Sequence, residues 1–183
     1  MHTPRRLSSL PRALAPLYAT ALVVIVLDQL SKAWVVDLLG TAEGSYQRLV
    51  GDLLWLRMVH NTGAAFGMGR GSSLFFALAA VAVAAGIVFY SRRLATTSWL
   101  VRVALGLELG GALGNLIDRI RLGYVVDFID VRLPFWPYVF NVADAAITIG
   151  VILLLITLLL PQGDAESTAS PVTREQHTRE RSA

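Results

Sequence analysis

Two aspartates near the C-terminal end are the strongest candidates for chemistry in this sequence. Asp127 lies in the short apolar run 125–128. Asp144 lies three residues after Asn141 and immediately before an uninterrupted apolar run from residue 145 to residue 160. An ionisable group beside hydrocarbon is unfavourable by about 2.5–3.5 kcal/mol at a helix centre, so its presence there indicates a functional site. Two neighbouring carboxylates cannot both ionise easily and tend to share a proton. The pair therefore indicates acid–base catalysis, with one carboxylate as base and the other as acid.

The elements that must position this pair are membrane helices. The 183 residues are 55% hydrophobic and 16% charged, with a mean hydropathy of +0.58, which is far from the composition of a soluble domain. A membrane span needs about 20 apolar residues, and four segments qualify: residues 16–36, 72–90, 99–117 and 141–160. Residues 53–60 are too interrupted for a span and rich in strand formers. The predicted fold is an all-α membrane protein with four transmembrane helices and a small extracytoplasmic β element.

Arginines predict the orientation of the four spans. They flank the cytoplasmic ends in the positive-inside pattern: Arg5, Arg6, Arg12, Arg92 and Arg93. Both termini are then cytoplasmic, and Asp127 and Asp144 lie toward the outer face. We predict a cytoplasmic N-terminal segment over residues 1–15, a four-helix transmembrane domain over 16–160, and a disordered cytoplasmic tail over 161–183, which is poor in large apolar residues.

Composition also excludes several classes of function. There is no cysteine, so disulfides, thiol catalysis and cysteine-bound metals are ruled out. The net charge of +3 comes largely from the cytoplasmic arginines and therefore favours topology over nucleic-acid binding. The acid–base mechanism requires neither a metal nor an organic cofactor.

Other polar residues have structural interpretations beside functional ones. Asp28 and Lys32 are spaced i and i+4 on the first helix, which favours a structural ion pair. Asn61 and Gly63 lie among small residues that would admit another chain, although spacing alone favours a turn before the second helix. Asn141 is placed to be the N-cap of the fourth helix, with Asp144 at its third position.

The third span carries small residues at every fourth position, a pattern typical of close helix packing: Gly106, Gly110 and Gly114. Asn115 and Asp118 follow on a shared helix face, with Arg119 next in the chain. A structural ion pair between Asp118 and Arg119 is favoured over a catalytic role for Asp118.

Five motifs together, at residues 28–32, 61–66, 114–119, 125–128 and 140–144, resemble those of the bacterial lipoprotein signal peptidases, or signal peptidase II family. The resemblance covers roughly residues 16–160. It implies an intramembrane aspartyl endopeptidase that removes the signal peptide of a prolipoprotein, cutting before the diacylglyceryl-modified cysteine. It further implies a multi-pass protein of the bacterial cytoplasmic membrane, whose partners are lipid-modified prolipoprotein signal peptides and the lipid bilayer. We expect a monomer that binds no nucleic acid.

The resemblance also assigns site residues. The catalytic pair would be Asp127 and Asp144. Residues around the substrate peptide would be Asn61, Gly63, Asn115, Arg119 and Asn141. Structural support would come from Asp28, Lys32 and Asp118.

Three other classes of membrane protein are alternatives to this interpretation. A proton-coupled carrier also places carboxylates in the membrane, but an inverted repeat is not detectable in the four spans. A presenilin-type protease would have a Gly-x-Gly-Asp motif within a span, which this sequence lacks. A structural membrane subunit would not gather its outer polar residues at one place. Glu108 departs from the family pattern, and we expect it to face the bundle or stay protonated.

Overall fold

The computed structural model describes residues 10–63, 72–94, 98–135 and 138–159, which form four helices and a four-stranded sheet. In chain order the elements are α1 (Leu10–Leu39), β1 (Tyr46–Val50), β2 (Leu54–Asn61), α2 (Ser72–Leu94), α3 (Trp99–Leu122), β3 (Val125–Val131), β4 (Val139–Phe140) and α4 (Val142–Leu159). All four helices are long and apolar enough to cross a membrane. Large apolar side chains remain exposed on the helix surfaces, as expected where lipid replaces water. The predicted fold class is confirmed.

Helix α3 is the central element, because it packs against each of the other three helices. It begins at an N-cap, where the Ser98 side chain accepts a hydrogen bond from the Val101 amide, and ends at Gly123, which has a φ of 81°. Glycine adopts this left-handed conformation without strain and so ends helices readily. The helix therefore continues to Leu122. The sequence analysis predicted an end near residue 117, which is wrong.

The glycines of α3 allow this central position. A Cβ atom on Gly106 would lie 2.5 Å from the Leu17 carbonyl oxygen of α1, and one on Gly110 would lie 2.8 Å from the Ala21 oxygen. On the side facing α4, a Cβ on Gly111 would lie 2.6 Å from the Ala143 carbonyl oxygen. The predicted small-residue packing face is confirmed.

We expect Gly114→Ala to lower both stability and activity, because its Cβ would lie 2.7 Å from Oδ2 of the buried Asp28. Overpacking of this kind is unfavourable by about 1–3 kcal/mol. Gly86→Ala in α2 is the matched control, since its Cβ would meet no atom within 4 Å. Thermal unfolding in detergent compares the two variants, and equal stability of both would contradict this packing.

All four strands gather at one end of the helical bundle, which we call the sheet end. The sheet is antiparallel in the order β1-β2-β3-β4, with β1 and β2 from the α1–α2 connection and β3 and β4 from the α3–α4 connection. One face packs on the end of α1 through Val35, Leu56, Met58, Val126 and Phe128. The β2–β3 register places Val59 opposite Asp127 and Asn61 opposite Val125. The predicted strand over residues 53–60 is confirmed as β2, whereas β1 and β4 were not predicted.

Candidate active site

Asp127 and Asp144 meet at the sheet end and are bridged by one asparagine. Asp127 lies within β3 and is 2% exposed, while Asp144 lies in the first turn of α4 and is partly buried. Asn141 donates from Nδ2 to Asp127 Oδ1 at 2.7 Å, and its backbone amide donates to Asp144 Oδ2 at 3.2 Å. The Asp144 amide donates back to Asn141 Oδ1 at 2.9 Å. These reciprocal hydrogen bonds between Asn141 and Asp144 confirm the predicted capping of α4. Asn141 therefore contacts both carboxyl groups.

Two further asparagines each hold one of the carboxylates. Asn61 donates from Nδ2 to Asp127 Oδ2 at 2.8 Å, and Asn115 donates from Nδ2 to Asp144 Oδ1 at 2.8 Å. Their orientation follows from their acceptor oxygens, which receive the Gly63 amide at 2.8 Å and Lys32 Nζ at 3.0 Å respectively. Because each oxygen already has a donor, each amide nitrogen must point toward its carboxylate. Gly63, with a φ of 80°, supports this arrangement by closing the turn beside Asn61.

Behind the asparagines lies a buried ion cluster centred on Lys32. Its ammonium group lies 2.8 Å from Asp28 Oδ2 and 2.9 Å from Asp118 Oδ2. With the bond to Asn115, Lys32 thus contacts three acceptors, and all four side chains are buried. The predicted pair between Asp28 and Lys32 is confirmed. The predicted pair between Asp118 and Arg119 is wrong, because Asp118 instead reaches across to Lys32 on α1.

The two carboxylates of this cluster also hold the backbone beside each candidate catalytic residue. Asp28 Oδ1 accepts from the Ala143 amide at 3.0 Å, one residue before Asp144. Asp118 Oδ2 accepts from the Val126 amide at 3.1 Å, one residue before Asp127. A single lysine-centred cluster therefore fixes both β3 and α4 at the site.

Gln29 is a site residue that the sequence analysis missed. Its Nε2 donates to Asp28 Oδ2 at 3.1 Å, to the Gly114 carbonyl oxygen at 3.2 Å and to Asp118 Oδ1 at 3.0 Å. The available signal was its position, a polar residue next to an aspartate inside an apolar span. It completes the contacts of the buried carboxylates.

Arg119 lies beside the aspartates without an ion pair to either one in the described ranges. Its guanidinium interacts electrostatically with Asp144 and Asp127, and it lies 5.5 Å from the centre of the Phe76 ring. One of its nitrogens donates to the Asn115 carbonyl oxygen at 3.4 Å. Its buried Nε has no hydrogen-bond partner among the described residues. Arg119 is therefore a donor that remains available at the site.

The pKa of Asp127 is raised to about 7, chiefly by burial and also by the nearby charge of Asp144. Hydrogen bonds from Asn61 and Asn141 act in the opposite direction, as does the charge of Lys32. The Asp127 carboxyl group can therefore gain or lose a proton near neutral pH, which suits a proton-transfer group.

Glu108 lies away from this site. It faces the helical bundle, which is one of the two alternatives that we expected from the sequence. A Cβ on Gly150 of α4 would lie 2.9 Å from Glu108 Oε1, so the two helices meet at this point. Over the part of the chain that is described, no group of three or more acidic or histidine side chains could hold a metal ion.

The geometry defines a class of protein: a four-span membrane protein in which two aspartates at the sheet end are hydrogen-bonded to one asparagine. The model of the family described as signal peptidase (SPase) II matches residues 20–160. The chain is 44% identical over 150 residues to the lipoprotein signal peptidase of Caulobacter vibrioides, covering 79% of this chain and 87% of that one. It is 42% identical over 147 residues to that of Bacillus subtilis, covering 80% and 94%.

A solved structure has the same architecture. It is described as a bacterial membrane enzyme determined by the in meso method at 1.9 Å resolution, and it matches with a TM-score of 0.70 and 31% identity over 88% of this chain and 99% of that one. The chain belongs to the signal peptidase II family, the membrane proteases that remove signal peptides from prolipoproteins.

Proposed function

We propose that Asp127 and Asp144 are the catalytic pair with which this peptidase hydrolyses the peptide bond before the lipid-modified cysteine of a prolipoprotein. The observation that carries the proposal is the bridge through Asn141, which hydrogen-bonds both carboxyl groups. A pair held in this way can keep one proton between two acids.

The positions of the two aspartates suggest different starting roles. Each carboxylate accepts two hydrogen bonds, but Asp144 also lies in the first turn of α4, at the positive end of the helix dipole, which favours its ionised form. Asp127 lies on a strand without such a dipole, and its pKa of about 7 allows it to be protonated at neutral pH. We assign Asp144 as the initial base and Asp127 as the initial acid.

The reaction then follows from these roles. Asp144 removes a proton from a water molecule, whose oxygen attacks the scissile carbonyl carbon. The Asp127 O–H hydrogen-bonds the carbonyl oxygen as negative charge develops on it. When the tetrahedral intermediate collapses, the C–N bond breaks and the proton on Asp144 passes to the leaving amine. Both carboxyl groups regain their starting protonation.

The neighbouring polar residues divide into positioning and substrate-binding groups in this proposal. Asn61, Asn115 and Asn141 position the carboxylates, and Gly63 positions Asn61. Arg119 has an unused donor and is assigned to a backbone carbonyl of the substrate peptide. Asp28, Lys32 and Asp118 hold the site from behind.

The sheet end is proposed to face outward and both termini to face the cytoplasm. The arginines near the span ends opposite the sheet end support this orientation, and four spans return the chain to the side on which it began. The protein is proposed to act as a monomer. The predicted tail, residues 161–183, and most of the predicted N-terminal segment lie outside the described residues.

Incubating the purified protein with a lipidated and an unlipidated form of one prolipoprotein tests the proposed function. We expect cleavage of the lipidated form alone, with mass spectrometry locating the cut before the modified cysteine. Equal cleavage of both forms, or a cut elsewhere, would contradict the proposed substrate class.

The rate of cleavage should fall as pH rises above about 7, because Asp127 then loses the proton that the acid must carry. The expected slope is about tenfold per pH unit. Asn61→Ala should move this decline to higher pH, since the hydrogen bond from Asn61 lowers the pKa of Asp127. Initial rates between pH 5 and 9 test both statements. An unchanged midpoint in Asn61→Ala would show that Asn61 does not act through Asp127.

A further inference from the structure

A cavity of about 380 Å³ lies between α1 and α3 at the sheet end, and neither Asp127 nor Asp144 lines it. Ala33 and Val36 of α1 form part of its wall, and Leu122 and Val126 form another part. The cavity lies near the ends of two candidate membrane spans, 12–39 and 99–122, the level at which a bilayer presents its headgroups.

Two of the charged side chains that line this cavity make few polar contacts with the rest of the protein. Arg121 lies in the last turn of α3 and Asp37 near the end of α1, and both are exposed. The side-chain hydrogen bond of Arg121 is a long one, from Nη1 to Gln29 Oε1 at 3.4 Å. Within the described residues, neither Arg121 nor Asp37 has an ion-pair partner within 4.0 Å. The cavity therefore offers one cation and one anion that remain available to a ligand.

The other two ionic residues of the wall are already occupied. Lys32 and Asp118 pair with each other at 2.9 Å, and both are buried. A ligand would therefore meet the guanidinium of Arg121 and the carboxylate of Asp37, above an apolar wall.

We propose that this cavity binds the headgroup of a zwitterionic phospholipid that carries a primary ammonium, namely phosphatidylethanolamine. Its phosphate would contact Arg121 through charge-assisted hydrogen bonds, and its ammonium would donate to Asp37. Phosphatidylglycerol has a phosphate but no cation for Asp37, and the ammonium of phosphatidylcholine has no N–H to donate. The pair of charges thus selects one headgroup among the common ones.

The bound headgroup would join the ends of α1 and α3 where these helices hold the lysine-centred cluster. Gln29 links the two regions, because it accepts from Arg121 and donates to Asp118 at 3.0 Å. Bound lipid should therefore raise the unfolding temperature of the protein.

Native mass spectrometry of the full-length protein in detergent tests this site, with phosphatidylethanolamine, phosphatidylcholine and phosphatidylglycerol added separately. We expect one retained phosphatidylethanolamine, bound about tenfold more tightly than phosphatidylglycerol. Arg121→Gln should weaken its binding about tenfold, and Asp37→Asn should abolish the preference over phosphatidylglycerol.

Two further variants serve as an independent test of the cavity and as a control. Ala33→Trp keeps both charges but fills the cavity, so it should bind phosphatidylethanolamine as weakly as Arg121→Gln does. If Arg121→Gln fails to fold, the binding measured for Ala33→Trp tests the proposal. Arg48→Gln removes an exposed arginine of β1 outside the cavity and should bind lipid as the wild type does. Equal binding by the wild type, Arg121→Gln and Ala33→Trp would overturn the proposal, as would equal affinity of the wild type for phosphatidylglycerol. The readout is binding, so its failure would leave the assignment of the catalytic pair untouched.

Discussion

Asp127→Asn and Asp144→Asn are each expected to lower the rate of prolipoprotein cleavage by about 10³-fold, because an amide cannot exchange the proton that the reaction moves. Both variants should still fold, since asparagine has nearly the shape of aspartate. The double variant should be about as inactive as either single one, because the two groups act as a unit. Initial rates on a lipidated prolipoprotein in detergent micelles measure these losses.

Asp130→Asn is the matched control for Asp127→Asn. Asp130 lies on the same strand and is also buried, but it contacts Arg132 at 3.3 Å and Arg57 at 3.9 Å, away from the asparagine network. This variant should retain cleavage within a few-fold of the wild type. Wild-type activity of Asp127→Asn, or a loss in Asp130→Asn as large as in Asp127→Asn, would overturn the assignment of the pair.

Lys32→Met is expected to have the largest effect on stability, about 3–5 kcal/mol, because it leaves two buried carboxylates facing each other without a cation. Asp28 is fully buried and the Asp118 side chain is 4% exposed, so water replaces the ammonium group poorly. The same change removes the donor to Asn115, which holds Asp144. Activity should therefore fall in whatever protein still folds.

The exposed ion pair of the sheet provides the comparison for Lys32→Met. Arg48 and Asp52 lie 3.1 Å apart, but their side chains are 58% and 83% exposed. Arg48→Gln should change the unfolding free energy by less than about 1 kcal/mol. Reversible unfolding in mixed micelles compares the two variants. A loss below 1 kcal/mol in Lys32→Met would contradict the structural role of the cluster.

Sequence reasoning predicted the helices because hydropathy over a span is a local property. It misjudged the end of α3, because the predicted span stops at residue 117, before the charged Asp118 and Arg119, whereas the helix ends at Gly123. It missed β1, in which all five residues are exposed and alternation of buried and exposed positions is therefore absent. Strand β4 has only two residues, too few to give a pattern.

The partner of Asp118 could not be read from the sequence, because adjacency favours Arg119 while the true partner is 86 positions away on α1. Close packing of the glycine face of α3 on α1 brings the two together. The sequence could place Asn61, Asn115 and Asn141 near the pair, but not their direction. That direction depends on which donor each oxygen receives, and two of these donors are backbone amides.

Infrared titration of the carboxyl groups tests most directly whether Asp127 and Asp144 hold one exchangeable proton near neutral pH. It is best done in a Glu108→Gln background, which removes the acid that α3 carries at its interface with α4. We predict a protonated carboxyl signal that disappears with a midpoint near pH 7 and is missing in Asp127→Asn. A carboxyl signal that persists with the same midpoint in Asp127→Asn, or none that titrates between pH 6 and 8 in the parent, would contradict the proposed mechanism.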